Sequence, residues 1–348
     1  MEQFLLTSGI ALALFFAFVS GVHDGGHLVA TSVLSRSMGP HRAILWATAA
    51  VFVGPLVYGS AVALALSDVF LEKTLILPEN RLPLSLSLVS GVAGATLWNL
   101  MTWWVGKPSG SSYTLLGGLL GGAVAAFGFE GVHGWPLLCK GILFLLLAPV
   151  FGIALAVSGM SMASRIGTAS GRTWATLQGL SLLFEAMGHG ANNAQKPAAV
   201  IFMLLLSTGS WGDAQIPLWA ILGCSASLAA GVPLGGWKIA RILSGKTYKV
   251  VPAHSFASQL ASGAVLAGAN ILGGFLSPNQ LVKASVLGTG AGGPKKTPWW
   301  ILGKTVIAAW FIHLPACALL AAAIHWSCSR ALGLSLGSLE RIMGGLGT

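Results

Sequence analysis

Long apolar runs separated by short polar breaks run the length of the chain. Runs of spanning length lie at about 4–20, 43–67, 84–106, 136–160, 173–188, 217–243, 254–276 and 299–323, each near the roughly 20 residues that an α-helix needs to cross a bilayer core. Between them lie shorter, Gly-rich apolar pieces at 24–35, 109–129, 191–207 and 279–292. These read as candidate half-helices and re-entrant hairpins. A last segment at 331–348, with Arg330, Glu340 and Arg341 near its ends, reads as a C-terminal interfacial helix. The pattern predicts an all-α polytopic membrane protein.

The stretch from Phe184 to Ala199 interrupts this pattern most sharply. It packs Glu185, His189, Asn192, Asn193, Gln195 and Lys196 between apolar runs. At membrane depth an unsatisfied polar group costs several kcal/mol, and a charge at a helix centre about 2.5–3.5 kcal/mol, so polar groups kept there are expected to act.

Composition agrees with the pattern. Hydrophobic residues make up 55% of the chain and charged residues 8%, against about 25% charged in a soluble domain. No soluble domain can be cut out. Cys139, Cys224, Cys317 and Cys328 stand singly and read as small hydrophobes. Most of the 47 glycines read as close helix packing. The first run lacks a basic start and a cleavage site, so it is expected to be a retained helix.

The formal charge of +10 points to orientation, not to nucleic acid. With the N-terminus outside, the inner loops collect Arg36, Arg42, Lys107, Arg165, Arg172, Lys238, Arg241, Lys246, Lys249, Lys295, Lys296 and Lys304 and no acid. The outer segments hold nearly all the acids, as the positive-inside rule requires. Asp24, Glu185, Lys196 and Lys283 are left for the interior or its edge. The chain is therefore expected in the cell (inner or plasma) membrane.

An internal repeat follows. Gly21-Val22-His23-Asp24-Gly25-Gly26-His27 lines up with Gly190 to Lys196 at an offset of 169, and Gly110 to Gly117 with Ser277 to Ala284 at an offset of 167. Two polar breaks per half, in halves of opposite sense, predict two inverted-topology repeats at 1–165 and 173–330, the arrangement of secondary transporters. Broken helices offer free N–H groups that suit an anion and free carbonyls that suit a cation. Ser109, Ser111 and Ser112 beside Gly110, with Asn279 and Gln280 opposite, are the candidate anion cradle, completed by Gln195 and Lys196.

His23 and His27 stand four apart around Asp24. This suits carbonyl-satisfying histidines at a broken helix, a proton-titrating cluster, or a metal site. Glu185 and Lys196, eleven apart, fall on one helix side, which suits a structural ion pair or an anion-binding lysine whose partner in the empty state is Glu185.

Gly188-His189-Gly190-Ala191-Asn192-Asn193-Ala194-Gln195-Lys196 resembles the repeated Gly-Ala-Asn-Asp signature of the inorganic phosphate transporter (PiT) family. Gly21 to Asp24, running on to Val33, is similar, and Pro108 to Tyr113 resembles the family's Pro-x-Ser-Thr-Thr-His hairpin. The resemblance covers nearly the whole chain, as a divergent prokaryotic-type member. It implies a twelve-span or similar transporter that moves phosphate with a coupling cation, Na+ or H+, held at Asp24, His23, His27, Asn192 and Asn193. The chain departs from the family in carrying Asn193 where an Asp is expected, His23 where an Asn is expected, and Tyr113 and Gln280 in place of the hairpin histidines.

The reading is a secondary active phosphate transporter working by alternating access. No enzyme activity and no cofactor are expected, and no metal beyond a sodium ion at Asp24, Asn192 and Asn193. Sulfate or another tetrahedral oxyanion is the rival substrate. An intramembrane metalloenzyme built on His23, Asp24 and His27 and a passive channel are rivals from other classes. The sequence leaves the oligomeric state open, a homo-oligomer included.

Overall fold

The computed structural model describes residues 1–70, 78–106, 109–166, 171–243, 251–290 and 299–334. Lys107, Pro108, Glu72, Lys73, Lys246, Lys249, Lys295, Lys296 and nearly all of the 331–348 segment fall outside them, as do the side chains of Lys238 and Arg241. The described residues form helices joined by short turns, with no strand among them. The helices are α1 (Glu2–Leu34), α2 (Pro40–Tyr58), α3 (Ala61–Phe70), α4 (Arg81–Trp104), α5 (Ser111–Phe127), α6 (Gly134–Pro136), α7 (Leu143–Ile166), α8 (Gly171–Ser207), α9 (Leu218–Leu243), α10 (Pro252–Leu272), α11 (Pro278–Thr289), α12 (Trp299–Ala308) and α13 (Leu314–Ala331). Short π-helical stretches lead into α7 at Leu137–Ile142 and into α13 at Ala309–His313. Eight helices among the described residues are long and apolar enough to cross a membrane, and large apolar side chains such as Leu45, Leu56, Leu146, Phe151, Phe311 and Leu319 face outward. The chain is a multi-pass membrane protein.

Two long helices form the centre. α1 has 33 residues and α8 has 37, so α8 is about 55 Å long at 1.5 Å per residue. They pack on each other; α9 covers α1, α2 covers α8, α4, α5 and α13 form one flank, and α7, α10 and α11 form the other. Glycines set the two covering contacts. A Cβ on Gly21 would be driven into the Leu228 carbonyl oxygen of α9, and a Cβ on Gly190 into the Val51 carbonyl oxygen of α2. The expected use of most glycines in tight packing holds at these seams.

One expectation fails here. The polar stretches at 21–27 and 190–196 do not break their helices, because α1 and α8 run through them without interruption. Their polar side chains find partners on neighbouring helices, so the backbone ladder has no reason to open. The breaks come instead before α5 and α11. α10 ends at Gly273, whose φ of 72° is left-handed, a conformation that favours glycine. The chain then turns through Phe275, whose N–H donates to the Lys140 carbonyl in the first π stretch at 2.8 Å. Ser277 caps α11, with Pro278 at its first turn, where a missing N–H costs nothing.

Candidate functional site

The π-anchored turn and the start of α5 bring four elements to one point. Asp24 of α1 is 1% exposed and Lys196 of α8 is 2% exposed, so neither can stay charged without partners. Asn193 Nδ2 donates to Asp24 Oδ2 at 2.5 Å, and Asn279 Nδ2, at the start of α11, donates to Oδ1 at 2.5 Å. Ser111 Oγ adds a longer contact to Oδ2 at 3.4 Å, and His189 Nε2 lies 3.4 Å from the same oxygen. The Lys196 ammonium donates to Ser112 Oγ at 2.6 Å, to Asn193 Oδ1 at 2.8 Å and to the Leu276 carbonyl at 2.9 Å. Asn193 thus links the two charges, its amide nitrogen on the carboxylate and its amide oxygen on the ammonium. α5 and α11 both begin at this cluster, so the partly positive ends of two helices face it. The cluster is sealed from solvent on all sides.

Not every expected residue joins it. Asn192 lies about 100° around α8 from Asn193; its Nδ2 donates to Asn270 Oδ1 and to the Gly274 carbonyl, both at 3.1 Å. Gln195 caps α3, its Oε1 accepting from the N–H groups of Val62 at 2.8 Å and Ala63 at 3.2 Å. Ser109 donates to Asn99 Oδ1 at 2.9 Å. Gln280 accepts from the Tyr113 hydroxyl at 2.6 Å.

The histidines are arranged otherwise than their spacing suggests. His23 Nε2 pairs with the Asn99 carbonyl at 2.9 Å, and His27 is buried with no side-chain hydrogen bond among the described residues. No group of three His, Cys, Asp or Glu side chains fit to hold a metal occurs among the described residues. The imidazole beside Asp24 is His189, which also touches Asn193 Nδ2 at 3.0 Å. Lys283 is half-buried, near enough to act electrostatically on Asp24 and His27.

The proposed partnership of Glu185 and Lys196 does not form. Eleven residues of unbroken helix separate them by about 16 Å: the same face, but three turns apart. Both Glu185 carboxyl oxygens are buried without a hydrogen bond among the described residues, near Ser262 of α10. Sequence reasoning missed Asn99, which accepts from Ser109 and from Thr114 at 3.0 Å, and the Phe275 ring, 4.9 Å from the ammonium. Asn99 is an amide inside an apolar run, as is Asn270, which donates to the Gly188 carbonyl at 2.9 Å.

The comparisons with known proteins place the chain in a family. A family model described as the phosphate transporter family matches residues 20–175 and 160–321. A protein of Rhizobium meliloti (strain 1021), described as a probable low-affinity inorganic phosphate transporter, is 32% identical over 93% of this chain and 96% of its own. A Bacillus subtilis (strain 168) protein of the same description is 30% identical over 91% of this chain and 95% of its own. A solved structure described as the sodium-dependent phosphate transporter shares the fold, with a TM-score of 0.82 at 19% identity, over 93% of this chain and 99% of that one. With these matches over nearly its whole length, the chain belongs to the phosphate transporter family.

Proposed function

We propose that this protein carries inorganic phosphate across the cell membrane, coupled to a cation and working by alternating access between two inverted repeats. The observation that carries this reading is the convergence of α1, α5, α8 and α11 on Asp24 and Lys196, in a chain of this family. Phosphate is held near the starts of α5 and α11, by helix-end amides, by Ser111 and Asn279, and by the charge of Lys196, whose ammonium Ser112 holds in place. Ser109, Gln195 and Gln280 support that cradle from one step away. Asp24 repels an anion unless a cation sits beside it, so cation binding precedes phosphate. Asn279 turns its amide oxygen to that cation on rotation, and that Oδ1 is already buried without a hydrogen bond among the described residues. Sodium is the coupling ion favoured by the description of the solved relative.

The two-repeat reading, at 1–165 and 173–330, draws on residues that meet their own counterparts. Asp24 touches Asn193 across a separation of 169, and Tyr113 touches Gln280 across 167. The helix pairs correspond as well, α1 on α9 with α8 on α2, and α5 on α13 with α11 on α7. The N-terminus lies outside in this reading. Because the cluster is sealed, phosphate reaches it only when one repeat rocks against the other.

The test is uptake of labelled phosphate into proteoliposomes with sodium and proton gradients imposed separately. Uptake is expected to rise with the sodium gradient and to be indifferent to excess sulfate. Stimulation by neither gradient sinks coupled transport, and inhibition by sulfate makes the substrate a tetrahedral oxyanion in general.

A further inference from the structure

The Lys196 ammonium is surrounded as a small cation would be. Its three protons meet three oxygens: a hydroxyl at 2.6 Å, an amide oxygen at 2.8 Å and a backbone carbonyl at 2.9 Å. The Phe275 ring closes a fourth side with its face 4.9 Å away, a favourable position for a cation. Neutral oxygens of these types, an unwound backbone carbonyl among them, are what membrane proteins use to hold desolvated monovalent cations. The oxygens come from three separate places, α5, α8 and the turn before α11, so the cage is a product of the fold and not of one local motif.

The cage is also oriented. Ser112 spends its own proton on the Leu276 carbonyl at 2.8 Å, which leaves a lone pair for the ammonium. Asn193 is held with its oxygen toward Lys196, because its nitrogen is committed to Asp24. With all three N–H bonds engaged by protein oxygens, the ammonium has none left for an anion. It can act on an anion only through its charge, as a bound metal cation does. A lysine built to grip phosphate directly would keep a donor free.

We propose that the Lys196 ammonium is a tethered stand-in for a bound monovalent cation: it permanently fills an oxygen cage that would otherwise take a free sodium ion. The chain then needs one free cation fewer for each anion it binds. The inference rests on reading the cluster as the transport site, but its test needs no transport.

Binding of radiolabelled sodium to purified protein in detergent provides that test. Lys196→Met keeps the aliphatic stem and removes the ammonium, and Lys196→Ala opens more space should the first variant fold poorly. Each variant is expected to bind one more sodium ion per chain than wild type, and its thermal unfolding midpoint to rise more steeply with sodium, because a ligand bound only by the folded state stabilises it. Competition by potassium for the added site supports the same cage. A double variant, Lys196→Met with Ser112→Ala, removes one cage oxygen and is expected to bind the added ion about tenfold more weakly, a loss of about 1.4 kcal/mol. Equal sodium stoichiometry in wild type and variants overturns the proposal. So does an added ion that is indifferent to Ser112→Ala, since it then sits elsewhere, beside Asp24. If uptake assays reject phosphate transport while the added ion appears, the cage survives and the transport reading falls.

Discussion

The polar stretches of α1 and α8 line up at a sequence offset of 169 and do different work. α1 supplies the acid, Asp24, and parks its neighbour His23 on the Asn99 carbonyl. α8 supplies a neutral amide where α1 has the acid, and adds a cation, Lys196, one turn further on. The amide, Asn193, joins acid to cation. Had both stretches carried an acid at this point, two buried like charges would stand in contact, each raising the cost of the other. The asymmetry sets one acid and one amine side chain in the cluster, joined by the Asn193 amide.

The severest way to break the comparison is Asp24→Asn. It removes the acid of α1 and makes the two stretches chemically alike, leaving the ammonium of α8 unopposed. Phosphate uptake in proteoliposomes is expected to fall at least about 100-fold, equivalent to about 2.7 kcal/mol. Uptake within about twofold of wild type refutes the assignment of the cation to Asp24.

A smaller effect tests whether the seams are equivalent although the side chains are not. Gly21→Ala and Gly190→Ala each push a methyl group into a carbonyl oxygen of the covering helix. Both are expected to lose about 1–3 kcal/mol of stability. Gly268, whose added Cβ would meet nothing within 4 Å, is the control, and Gly268→Ala is expected to gain up to about 1 kcal/mol. Unfolding midpoints in detergent separate the three. A large loss at one seam and none at the other shows that the halves pack differently.

The smallest expected effect lies at Glu185, which lines up with the buried Phe16 of α1 at the same sequence offset of 169. An acid buried with only the Ser262 hydroxyl beside it gains little from its charge, so Glu185→Gln is expected to leave the midpoint within about 1 kcal/mol of wild type, on the stabilising side. A strong loss of stability shows that the carboxylate holds an ion in the folded protein.

Much of the fold was legible because membrane helices must satisfy their own backbone, and apolar runs therefore mark them directly. The starts of α5 and α11 were legible too, because Gly110 with its flanking serines and Ser277-Pro278 carry turn and cap chemistry in one dimension. The state of the polar stretches was not legible. Glycine beside polar residues reads equally as an unwound helix or as a helix packed closely against another, and Gly21 and Gly190 turned out to be the second kind.

By itself, the sequence determined the class of protein, the approximate helices and the set of buried polar residues, since each follows from local runs and from the cost of polarity in a bilayer. Only the tertiary structure decided the pairings. Asp24 takes His189 and Asn193 rather than His23 and His27; Lys196 takes three neutral oxygens rather than Glu185; Asn192 turns to Asn270. The reason is geometric: each step along a helix turns a side chain by about 100° and lifts it 1.5 Å. One residue of displacement, or three turns on the same face, therefore separates a partner from a stranger. Which helix stands opposite is a property of the assembled fold.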